Sequence, residues 1–140
     1  MPNRFQWTPE YSVGSEVLDR QHQAILAQCH ALADCIANAG PDGDQAFNTT
    51  LDALMTQARE HFAAEEALLK QWAYPQLDEQ QNERDEFDFL AHEIITRENF
   101  EPIELQRFLS LWWTGHIVGS SKTYGSFLSE RSSEIGRAHV

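Results

Sequence analysis

Positive charge is scarce in this chain. Ten Lys and Arg stand against 22 Asp and Glu in 140 residues, a formal net charge of -12. That balance argues against a nucleic-acid ligand and against an anionic membrane surface, since both call for basic patches. Long apolar runs are missing too; none approaches the roughly 20 residues that span a bilayer. Met1 to Glu10 lack the basic and apolar regions of a secretory leader, so a cytoplasmic location is expected. There are only two cysteines, Cys29 and Cys35. On one predicted helix they stand about 9 Å apart along the axis, too far for an unstrained disulfide. They also lack the CxxC spacing of a zinc or redox motif. Both are expected to be reduced, with Cys29 in the core.

Helix breakers are few. Pro2, Pro9 and Gly14 mark an irregular N-terminal arm, Gly40-Pro41-Asp42-Gly43 a turn, Tyr74-Pro75 a stop and restart, and Asn99 to Pro102 a third connection. Between them the apolar period is helical, and no stretch alternates like a strand. The first stripe is Leu18, His22, Ile25, Cys29, Leu32 and Ile36. The second is Phe47, Leu51, Leu54, Ala58, His61, Glu65 and Leu68. The third is Leu77, Gln80, Arg84, Phe87, Ala91 and Ile94, and the fourth Leu105, Leu109, Trp112 and His116. Four such segments with short connections predict an all-α fold, an antiparallel up-down-up-down four-helix bundle.

Six residues on those stripes do not belong in an apolar core: His22, His61, Glu65, Gln80, Arg84 and His116. A buried polar group without a partner costs roughly 1–3 kcal/mol. Since consecutive helices run in opposite directions, all six converge toward one end of the bundle. His61 and Glu65, at i and i+4, stack on one face. Bundles build metal sites in this way, from side chains on facing helices. Taken singly, a histidine on an apolar stripe is more often an ordinary core residue. The shared depth on four helices is what points to a site. The glutamates Glu79, Glu83 and Glu86 read as a solvated face of the third helix.

These segments resemble the bacterial hemerythrins, diiron oxygen-binding four-helix bundles. Trp7, Ser12-Val13-Gly14 and Asp19-Arg-Gln-His22 look like the family's arm and first ligand motif. His61-Phe-Ala-Ala-Glu65-Glu66 looks like its second, Tyr74-Pro75 like its inter-helix turn, and Trp112, His116-Ile117 and Lys122-x-Tyr124 like its last motif. The resemblance implies that His22 and His61 match the two histidines of one iron, Glu65 a bridging carboxylate, and His116 one histidine of the other iron. It also exposes three lost ligand positions. Gln80 and Arg84 stand where the family has histidines, and Ser121 where it has an aspartate. His92 lies too far along the third helix to substitute. Phe62, Trp112, Trp113 and Ile117 fall at the pocket. The family commonly has leucine at the position of Trp113, and a larger ring there shrinks the oxygen space.

A full diiron centre is therefore not expected. His22, His61 and Glu65, with His116 as a fourth ligand, suit one iron or zinc ion, with dioxygen as a partner if iron is bound. The competing expectation is a metal-free bundle in which Arg84 pairs with Glu65 and Gln80 and Ser121 join the network. The family default, oxygen binding, storage or sensing at two irons, is the third reading. No Ser-His-Asp set, phosphate-binding loop or paired catalytic acids stand elsewhere, so a non-enzymatic protein is expected. The bundle is expected to occupy residues 1–131. Residues 132–140 read as a non-domain, artefactual tail: Ile135 to Val140 back-translate to ATC GGA AGA GCA CAC GTC, which looks like the start of a sequencing adapter.

Overall fold

The structure is a computed structural model describing residues 5–38 and 40–130. The proposed tail lies outside the described residues. Four helices carry the fold: α1 (Glu16–Ala37), α2 (Gly43–Gln71), α3 (Leu77–Ile95) and α4 (Pro102–Lys122). A 3-10 turn at Pro9–Tyr11 precedes them, and helix resumes over residues 124–130. There is no strand among the described residues. α1 packs on α2 and α4, and α3 closes the ring against the same two helices. This is the expected up-down-up-down order. Among the described residues, no helix is long and apolar enough to cross a membrane.

Local chemistry sets the helix ends. Ser15 caps α1 by accepting from the Leu18 amide, which satisfies one of the free donors of the first turn. Pro102 sits in the first turn of α4, where its missing N–H costs nothing. Pro75 does not open α3 as expected. It stays in the turn, after Ala73 at φ 55°. There the amides of Ala73 and Tyr74 close back on Lys70 and Leu69, a left-handed helix stop. The N-terminal arm is clasped to α1 by Asp19, which accepts from Ser12 Oγ and the Val13 amide. It then presses on Gly125, where a Cβ would meet Val13 Cα at 3.1 Å.

The main core runs through Ile25, Leu32, Leu54, Phe87, Leu109 and Trp113. A second cluster, with Leu18, Leu69, Tyr74, Tyr124 and Leu128, covers the end where α1 begins and α2 finishes. The polar residues lie between the two clusters. The stripe on α4 differs slightly from expectation: Trp113 is wholly buried, and Trp112 is only half-buried. Cys29 is buried in the core as expected, and both thiols are free. Burial pushes the Cys29 thiol up to about 12.

Candidate metal centre

α1 contributes His22, α2 His61 and Glu65, and α4 His116. All four are buried, at 0–3% exposure. One ligand-type atom from each lies within 4.8 Å of all the others. His61 Nε2 is 3.0 Å from His22 Nε2, 3.1 Å from Glu65 Oε2 and 3.3 Å from His116 Nε2. His116 Nε2 is 3.0 Å from Glu65 Oε2. Tyr124, wholly buried, donates its hydroxyl to the same oxygen at 2.8 Å.

The outer ring nitrogens determine what the inner ones offer. Glu83 Oε1 is 2.7 Å from His116 Nδ1. A carboxylate only accepts, so that nitrogen carries a proton. Gln21 Oε1 is 2.9 Å from His61 Nδ1 and holds it in the same tautomer. The Nε2 atoms therefore face inward, toward each other and toward a carboxylate oxygen. A metal ion would satisfy that arrangement, and so does a proton on His116 Nε2 donated to Glu65.

Electrostatics favour a proton on His116. Burial works to lower the His116 pKa, but the Glu65 charge and its hydrogen bond outweigh it and carry the group up to about 10. Burial likewise works to raise Glu65, and His116 outweighs it, holding the carboxyl below its usual range. Burial, reinforced by His61 and His116, lowers His22 to about 2. His61 is lowered, chiefly by burial. Burial and the neighbouring Glu65 push the Tyr124 phenol well above its usual value.

These shifts fix the pH profile of the metal-free protein. His116 is raised, so its contribution is complete below about 6.5 and is lost as pH climbs through about 10. Glu65 is depressed, so its contribution is present above 4.5 and lost on acidification. His22 folds neutral and penalises the fold as pH falls from 6.5 toward 2. Melting temperature of the metal-stripped protein is expected to peak near neutrality and fall toward pH 10; a flat profile from 7 to 10 contradicts this assignment.

Of the three residues that the resemblance sets at lost ligand positions, Gln80 is buried with its Oε1 unpartnered among the described residues. Ser121 donates to Val118 O on its own helix. Arg84 corrects an expectation. It pairs with Glu66 and, at 3.5 Å, Asp85, not with Glu65, and its side chain is 34% exposed. The long stem lets the guanidinium reach the surface from a core-facing position. Arg84→Ala is accordingly expected to cost less than ~1 kcal/mol, as for a partly exposed pair; a loss of several kcal/mol in urea unfolding would contradict the outward placement.

Glu83 corrects another. It is half-buried against His116 rather than solvated. It lies three residues after Gln80, hence on the same face, which was the available signal. Gln21 gave no signal beyond preceding His22. The aromatic residues pack around the cluster: Trp113 stacks on Phe62 at 5.2 Å and meets His116 and His61 edge-on. Trp112 lies flat on His116 at 5.3 Å, and Ile117 is buried beside them. A surface cleft of about 320 Å³, lined by Cys35, Phe47 and Ile103 among others, is at the opposite end of the bundle and brings no histidine with it.

A buried cluster of three histidines and a carboxylate inside an antiparallel bundle is a group that could hold a metal ion. The sequence profile of the hemerythrin HHE cation binding domain matches residues 13–126, and the chain belongs to the hemerythrin family. That family binds iron and, through it, dioxygen. The chain is 26% identical to a bacteriohemerythrin of Stenotrophomonas maltophilia, over 95% of this chain and 87% of that one. It is 25% identical to a hemerythrin-like protein of Naegleria gruberi, over 91% and 97%. A myohemerythrin of Theromyzon tessulatum shares 24%, over 89% and 93%. No solved structure matches.

Proposed function

We propose that this chain is a hemerythrin-family bundle that holds one metal ion, iron or zinc, on His22, His61, Glu65 and His116, in place of a two-iron centre. The carrying observation is the convergence of three imidazole nitrogens and one carboxylate oxygen, all within 4.8 Å of one another. Four ligands set tetrahedrally around an ion at about 2.0–2.2 Å stand roughly 3.3–3.6 Å from one another. Four of the six separations are 3.0–3.3 Å, and all six lie within 4.8 Å.

The residues fit a second iron poorly. Gln80 offers an amide, Ser121 is engaged with Val118 O, and Arg84 is a permanent cation turned to Glu66. His116 lies within reach of the first position rather than at a separate one.

A bound ferrous ion would supply affinity for dioxygen; a zinc ion would supply charge alone. The chain's own residues hold the ligands. Gln21 and Glu83 fix two tautomers, Tyr124 orients Glu65, and Trp113, Phe62 and Trp112 exclude water. With four protein ligands and packed rings around them, the centre has the closed character of structural sites. The proposed role is metal binding without turnover.

Metal must displace the proton on His116, so uptake near pH 7 is expected to release about one proton per ion. Binding heats measured in buffers of different ionisation enthalpy read that number, and none released would contradict the ligand role of His116. Cobalt(II) titration of the metal-stripped chain tests the reading directly. Saturation at one equivalent is expected, with binding lost in His22→Ala and His61→Ala.

One observation favours a second reading, a metal-free bundle. A proton on His116 satisfies both Glu65 and Glu83, doing what the Arg84 pair was expected to do. Failure of the stripped chain to take up any metal would select it.

A further inference from the structure

We infer that Glu83 is a positioning residue for the metal: through His116 it sets how tightly the ion is held. The inference rests on the one-ion reading above and adds a residue that is not itself a ligand.

The three imidazoles differ in what stands behind them. His116 Nδ1 donates to a carboxylate, Glu83, at 2.7 Å. His61 Nδ1 donates to a neutral amide, Gln21, at 2.9 Å. His22 Nδ1 has no partner among the described residues. An amide fixes the tautomer and orientation of a ligand ring. A carboxylate does so and also makes the coordinating nitrogen more basic. His116 is therefore the strongest of the three donors.

Charge points the same way. Glu65 and Glu83 bring two negative charges to the cluster, the number a divalent ion neutralises. The neighbouring cation does not cancel the second, because Arg84 turns to Glu66 and Asp85. α3 supplies none of the four clustered ligand atoms. Glu83 links α3 to the centre, from a position facing His116 with its side chain 34% exposed.

The test is a zinc(II) and cobalt(II) titration of the full, metal-stripped chain against a competing chelator at fixed pH. Glu83→Gln keeps the shape and an acceptor but removes the charge. It is expected to weaken binding about 10- to 100-fold, with cobalt bands unchanged because the ligands are unchanged. Glu79→Gln, at an exposed position on the same helix, should stay within about twofold. Glu83→Gln within twofold of the parent, an equal loss in Glu79→Gln, or altered cobalt bands would each overturn the inference; the last would make Glu83 a ligand. Gln21→Glu runs the argument in reverse and does not depend on the folding of the first variant. A carboxylate behind His61 should tighten binding, and unchanged or weaker binding overturns the mechanism. If the parent chain takes no metal, the one-ion reading falls and this inference with it.

Discussion

Glu65→Ala is expected to lower the stability of the metal-free protein by about 3–5 kcal/mol. The carboxylate is 1% exposed and accepts at one oxygen from Tyr124 at 2.8 Å and from His116 at 3.0 Å, with His61 Nε2 at 3.1 Å. Removing it leaves a buried imidazolium whose remaining counter-charge is Glu83, and a buried phenol with no acceptor at Glu65. Orphaned buried charges are far more costly than lost surface pairs. Glu65→Gln should be milder, because the amide oxygen still accepts, yet it should abolish metal uptake as fully as alanine does. Urea unfolding and cobalt titration read the two effects separately. A loss below ~1 kcal/mol in Glu65→Ala would show that the imidazoles do not depend on this carboxylate.

Trp113→Ala is the second large effect, about 3–5 kcal/mol for truncating a wholly buried indole. The ring stacks on Phe62 and meets Phe87, His61 and His116 at 5.2–5.6 Å. One term works against the loss. Trp113 Nε1 is buried without a partner among the described residues, so the parent already carries an unrecovered desolvation cost of roughly 1–3 kcal/mol. The lower end of the range is therefore expected. The space opened lies beside two of the proposed ligands. Azide should perturb the cobalt bands of the loaded variant and leave those of the loaded parent unchanged. Equal azide responses would mean that Trp113 does not close the site.

The fold was legible in the sequence because a core-facing stripe is a matter of period, and the period was clean. Leu18 to Leu32 on α1 and Leu54 to Glu65 on α2 sit where their spacing puts them. The burial of His22, His61, Glu65 and His116 at one level was readable for the same reason. The failures come from side-chain reach, which period does not encode. Arg84 lies on the stripe of α3, but a long stem carries its charge out to Glu66. Glu83, one position off the stripe, reaches in to His116. One residue of rotation also separates Trp112 from Trp113, and adjacent aromatic residues on a helix give no sequence cue to which is inside. Pro75 stays in the turn because the backbone closure at Ala73 and Tyr74 ends α2 before a new helix begins.

The most direct test of the account is the metal content of the full chain after iron-replete expression and anaerobic reconstitution with Fe(II), measured by elemental analysis against protein concentration. The account predicts about one ion per chain, with no absorption from an oxo-bridged iron pair. Two irons per chain, with that absorption responding to oxygen, would contradict it and return Gln80, Arg84 and Ser121 to the neighbourhood of a working diiron centre.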